Sequence, residues 1–153
     1  MYACILVPID GSPTARHGLD EAIRLAVELR SRLCLVHVVE ARLLMAEVTA
    51  LLPPDRLLDD WRAAGQRMLA EAIDGASRHG LVAEGKVRCE PGLRVWETIL
   101  DEAAQSGAEL VVMGTHGRHG LQRLAIGSEA EMVLRESPVP VLLVRGPHGG
   151  VTP

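Results

Sequence analysis

Apolar positions along the chain fall into two alternating patterns. Short, nearly unbroken apolar runs at residues 3–9 (ACILVPI), 33–39 (LCLVHVV), 109–113 (ELVVM) and 139–144 (VPVLLV) have the length and β-branched content of buried strands. Between them, apolar residues recur at helical spacing. Leu19, Ala22, Ile23, Ala26, Val27 and Leu29 predict a helix to about Arg30, with Ser12 as its N-cap and Pro13 in its first turn. Pro53-Pro54-Asp55 opens a second helix. Leu57, Leu58, Trp61, Met68, Leu69, Ala72 and Ile73 mark its buried face, and Gly80 is expected to cap its end. A third helix is predicted over Leu93–Gln105, closed by Gly107, and a fourth starts at Ser128. Residues 82–89 (VAEGKVRC) alternate only weakly, with Glu84, Lys86 and Arg88 wetting one face, which predicts an edge strand. Residues 40–53 carry no readable pattern.

Strands that alternate with helices predict one α/β domain over residues 1–146, with 147–153 as a flexible C-terminal tail. Helical crossovers make the five-stranded sheet parallel, open and doubly wound, with helices on both faces. Pro140 cannot donate to a central ladder, so the fifth strand takes the other edge. The order 3-2-1-4-5 satisfies both edges. Its winding reverses between strands one and four, and in such sheets a ligand sits beyond the carboxyl ends at the reversal. The loops meeting there are Asp10-Gly11-Ser12 and Gly114–Gly127.

Composition narrows the function. At 153 residues, 48% of them apolar, the chain can bury a core. Two Trp, one Tyr and no Phe make that core aliphatic. A net charge of −4 disfavours a nucleic-acid partner, which needs a basic surface. Cys4, Cys34 and Cys89 form no C-x-x-C pair and lie in strand-like runs, so they read as small buried side chains and not as a disulfide or zinc set. No apolar run approaches the roughly 18 residues that span a bilayer, and the N-terminus has no basic leader, so the expected place is the cytoplasm, with no membrane partner.

The chemistry gathers in the loop after the fourth strand. Gly114-Thr115-His116-Gly117-Arg118-His119-Gly120 leads to Gly127-Ser128. Glycines let backbone approach an anion, and a helix opening at Ser128 offers free N–H groups and the positive end of its dipole. Arg118 and Arg123 add positive charge suited to phosphate oxygens. Against this stands a reading that needs no ligand: Ser128-x-x-Glu131 is a capping box. Asp10, before a glycine at a strand end, is likewise explained as a turn former.

The spacing Gly114-x2-Gly117-x9-Gly127-Ser128 resembles the ATP-binding motif of the universal stress protein family at every fixed position. Val7-Pro8-Ile9-Asp10-Gly11-Ser12 is similar to the family's opening strand and turn, Leu35–Val39 to its second strand, and Ser137–Val144 to its last. The resemblance implies a stress-response binding module for ATP, or for ADP or AMP, with Mg2+ or Mn2+ accompanying the nucleotide. It implies Asp10 by the ribose, the Val38 backbone at the adenine, and Gly114, Gly117, Gly127 and Ser128 around ribose and phosphates. Pro8, Met113, His116, Arg118 and Glu129 complete the expected site. Glu129 departs from the small apolar residue common at its position. Turned inward it would repel phosphate, and Glu129→Val would then tighten ATP binding. The resemblance also implies a homodimer through strand 139–144, which would cover an apolar edge.

Other chemistry has little support. There is no G-x-x-x-x-G-K-S/T, no G-x-G-x-x-G after the first strand and no G-x-S-x-G. No catalytic set and no metal-ligand set is evident. His37 reads as a hydrogen-bonded core histidine. Two alternatives stay open: a slow ATPase using the same site, and a dimeric interaction protein that holds no nucleotide.

Overall fold

The computed structural model describes residues 1–40, 54–116 and 126–146. Residues 41–53, the loop residues Gly117, Arg118, His119, Gly120 and Arg123, and the tail 147–153 lie outside the described residues.

Five parallel strands form one sheet: β1 (Cys4–Pro8), β2 (Arg32–Val38), β3 (Ala83–Arg88), β4 (Leu110–Gly114) and β5 (Val141–Val144). Their order is β3-β2-β1-β4-β5, as the hydrophobic pattern predicts. The described helices are α1 (Pro13–Leu29), α2 (Pro54–Ser77), α3 (Val95–Ser106) and α4 (Ser128–Glu136).

The strands are continuous apolar runs because both sheet faces are covered. Successive side chains point to opposite faces. Ile5, Val7, Leu33 and Leu35 meet Ala22, Ile23 and Ala26 of α1 and Leu69 and Ala76 of α2. Cys4, Leu6, Cys34, Val36 and Val111 meet Ile99 and Ala103 of α3 and Ala130 and Val133 of α4. Each large aliphatic side chain buried this way contributes about 1.5–3 kcal/mol.

Element ends follow local chemistry, with one departure. Ser12 caps α1, its Oγ accepting from Ala15 N at 3.1 Å. Gly107, at φ 66°, closes α3 in the left-handed region. Gly80 caps the end of α2, as its place in the sequence predicts. At φ 74° it donates to the Ser77 carbonyl at 2.9 Å while Leu81 N donates to Ala76 O at 3.3 Å, a paired cap that turns the chain toward β3. The departure concerns β5, which is shorter than its apolar run. Val139 and Pro140 precede it, and Pro140 serves only as an acceptor, from Val111 N at 3.0 Å.

Edge strand β3 keeps its charges by pairing them with α3. Arg88 reaches Asp101 at 2.8 Å and the buried Glu102 at 3.3 Å, and Lys86 reaches Glu102 at 3.2 Å. Hydrogen bonds from Arg88 and then Gln105 hold the Asp101 carboxyl below its usual range.

Candidate functional site

The winding reversal between β1 and β4 brings three strand ends together, and each ends differently. The last ladder bond between β1 and β2 runs from Ile9 N to Val36 O, at 2.8 Å. A parallel ladder carried one step further would join Val38 N to Ile9 O and Gly11 N to Val38 O. Neither bond forms, and the pairing stops at Pro8–Val36. The Ile9 carbonyl instead accepts from Nδ1 of His37 at 2.7 Å. The chain then turns away: Asp10 Oδ1 accepts from Ser12 N at 2.8 Å, and Gly11 takes φ 80°.

Val39 N–H donates to Arg88 O and so faces β3. Groups alternate sides along a strand, so the N–H and C=O of Val38 face β1, just past its last paired residue. Among the described residues neither has a partner. The end of β2 thus offers one donor beside one acceptor. Asp10 spends one oxygen on its turn, as its position before a glycine suggests, while Oδ2 has no partner among the described residues.

The end of β4 is closed by packing. A Cβ on Gly114 would lie 2.7 Å from the Thr14 carbonyl carbon and 2.8 Å from its oxygen. From the opposite side, a Cβ on Gly18 would lie 3.1 Å from Gly114 N. Helix α1 therefore rests on the β4 backbone, and Gly114 is required with or without a ligand. Thr115 N donates to Val144 O at 3.0 Å, and Gly127 N donates to Thr115 O at 2.7 Å. Thr14 Oγ1 donates to the His116 carbonyl. Both ends of the glycine loop are thereby pinned beside β4. The His116 ring meets Thr115 Oγ1 through Nδ1 at 3.0 Å, while its buried Nε2 has no partner among the described residues.

Helix α4 begins without a side-chain cap. Its N-cap is Gly127, so the capping box read from Ser128 and Glu131 does not form. Ser128 is exposed and is the first helical residue. Glu129 turns away from this end. Its Oε2 accepts from Trp96 N at 2.8 Å, in the first turn of α3, where the N-cap Arg94 makes no side-chain cap bond. The sequence left open whether Glu129 turns inward; here the amide of Trp96 holds its carboxylate. Met113 is buried in the core between the sheet and α3 and α4, and Pro8 is half-buried at the end of β1.

Of the expected set, the reversal thus assembles Pro8, Asp10, Val38, Gly114, His116, Gly127 and Ser128. Thr14, Thr115 and Gly18, which position the loop, were not singled out from the sequence. An isolated glycine inside a helical pattern was the available signal for Gly18. Away from the site, Cys4 and Cys34 sulfurs lie 3.2 Å apart in the core. Burial first, then hydrogen bonds with Cys4 and Glu84, push the Cys34 thiol up to about 12. Among the described residues no group of three or more His, Cys, Asp or Glu could hold a metal ion.

Comparisons with known proteins agree with this fold. Residues 1–145 match the universal stress protein family. Universal stress protein YxiE of Bacillus subtilis is 33% identical over 152 residues, covering 95% of this chain and all of the relative. The crystal structure of a universal stress protein family member from Burkholderia pseudomallei superposes with a TM-score of 0.74 at 35% identity, covering 94% of this chain and 96% of the other. The same fold, at 21% and 19% identity and TM-scores of 0.70 and 0.65, occurs in a universal stress protein in complex with cAMP and in one from Archaeoglobus fulgidus in complex with dAMP; the matches cover 95% and 94% of this chain and 98% of each of the others. The family match over almost the whole length, together with a five-stranded sheet wound 3-2-1-4-5, makes this chain a member of the universal stress protein family.

Proposed function

We propose that this protein binds an adenine nucleotide, ATP or the shorter ADP or AMP, beyond the carboxyl ends of β1, β2 and β4, and acts as a stress-response module whose partners read its occupancy. The observation that carries the reading is a pair of unmet polar features flanking β1. On one side is the donor–acceptor edge of Val38. On the other is the uncapped N-terminus of α4. Two strand spacings, about 10 Å, separate the strands that hold them.

Each feature suits one end of a nucleotide. Adenine presents an amino donor beside a ring-nitrogen acceptor, the complement of the Val38 carbonyl and N–H; guanine presents two acceptors on the corresponding edge. First-turn amides and the helix dipole favour phosphate. His116 gives independent support. A buried polar atom left unpaired costs about 1–3 kcal/mol, and a phosphate oxygen would supply the partner its Nε2 lacks. Asp10 Oδ2 is available to a ribose hydroxyl. Gly117 and Arg118 belong to the reading through the motif spacing, with Mg2+ or Mn2+ balancing phosphate charge. The adenine ligands of the two related structures favour the same chemical class.

The module would work as a cytoplasmic homodimer through strand 139–144. Among the described residues, β5 ends the sheet, and Leu142 and Leu134 are 36% and 46% exposed nearby. No described helix is long and apolar enough to cross a membrane.

The test is mass spectrometry of nucleotide released on denaturation, together with calorimetric titration of ATP, ADP, AMP and GTP in magnesium. The comparator is Ser128→Ala, because a change at Gly114 would damage the fold. Wild type should carry or bind adenine nucleotide, and Ser128→Ala should weaken binding by about two- to tenfold through one lost hydrogen bond. Wild type that carries none and ignores added ATP would overturn the reading.

A further inference from the structure

We propose that His37 is a positioning residue for the base: by taking the Ile9 carbonyl, its ring stops the β1–β2 ladder one step early and keeps Val38 free to recognise adenine. This rests on the nucleotide reading above.

A buried histidine could bond any nearby carbonyl. His37 bonds the one that the ladder would offer to Val38 N–H. A carbonyl only accepts, so Nδ1 carries the proton and the ring is a fixed donor. The ring is 9% exposed and held from the α2 side as well. A Cβ on Gly65 would lie 2.6 Å from its Cδ2 and 3.3 Å from its Nε2. Helix α2 therefore leaves out a side chain where the ring stands. Glycine in a helix interior costs about 1 kcal/mol against alanine, so the room has a measurable cost. The ring, the Ile9 carbonyl and the turn at Asp10-Gly11-Ser12 together leave the Val38 donor and acceptor without ladder partners. Without the ring donor, Val38 N–H is the natural claimant to the Ile9 carbonyl, and the donor half of the adenine edge is lost.

Amide hydrogen exchange of Val38 followed by NMR reads this directly. In the nucleotide-free wild type the Val38 amide should exchange quickly, and ATP should protect it. In His37→Leu it should be protected with no nucleotide present. ATP affinity should then fall about three- to tenfold, as for one hydrogen bond, and the preference for ATP over GTP should narrow. His37→Asn, which keeps a donor near the Nδ1 position, should behave as wild type. Gly65→Ala pushes the ring from the far side, so it should reproduce His37→Leu with residue 37 intact, and it carries the test if His37→Leu does not fold. Fast Val38 exchange and an unchanged ATP-to-GTP ratio in both His37→Leu and Gly65→Ala would overturn the role of His37 alone. A wild type that binds no nucleotide would overturn the recognition role together with the site.

Discussion

The ends of β2 and β4 lie on the same side of the sheet, one on each side of β1, yet they are finished in opposite ways. At β4 the chain is held on the β5 side and by packing: Thr115 N–H donates to Val144, its carbonyl accepts from Gly127, and Gly114 is pressed against the first turn of α1. At β2 the ladder stops early and Val38 is left with a donor and an acceptor unmet. The motif glycine at β4 is thus first a packing residue. The residue with unmet backbone chemistry, Val38, belongs to no glycine motif. Spacing therefore locates the loop, while the open donor and acceptor lie on the far side of β1.

The largest effect that would break this contrast is at Gly114. Gly114→Ala places a methyl carbon within 3 Å of the Thr14 backbone, which cannot yield as a flexible side chain would. Overpacking of this kind costs about 1–3 kcal/mol, and the midpoint of urea unfolding should fall in the absence of any nucleotide. If nucleotide-free stability stays at the wild-type level, the packing account of Gly114 fails.

Next in size is Glu129. Glu129→Ala should cost about 1 kcal/mol by uncapping α3, seen as a lower Tm. Its effect on ATP affinity should be small, because the carboxylate points to Trp96. A marked tightening of ATP binding in Glu129→Val, with no loss of stability, would instead return Glu129 to the phosphate side.

The smallest effect at neutral pH concerns Cys34. Its folded-state pKa is raised from 9.0 to about 12. A group shifted upward contributes stability that is complete below its unfolded value and is lost as pH climbs. Unfolding free energy should therefore decline between pH 9 and 12, and Cys34→Ala should flatten that decline. Native protein should also react slowly with a thiol reagent at pH 8 and fully after unfolding. An equally steep alkaline decline in the variant would remove Cys34 as its cause.

Much of the fold was legible because burial leaves periodic marks. Runs such as Cys4–Val7 and Leu33–Val36 are apolar at every position since both faces are covered. The charges of Glu84, Lys86 and Arg88 marked β3 as an edge, and Pro140 marked the other. Those two edges were enough for the strand order and hence the reversal. The capping box was misread because Ser128 begins the helix one residue later than a cap would.

The sequence by itself determined the family, the element order and the place of the winding reversal, because periodicity and motif spacing are local along the chain. Only the tertiary structure decided what individual residues do there. Glu129 finds its partner across 33 residues, His37 across 28 and His116 across 102. Such pairings depend on how helices settle on the sheet. The same glycine, carboxylate or histidine reads alike in sequence whether it meets a ligand, a helix or the end of a ladder.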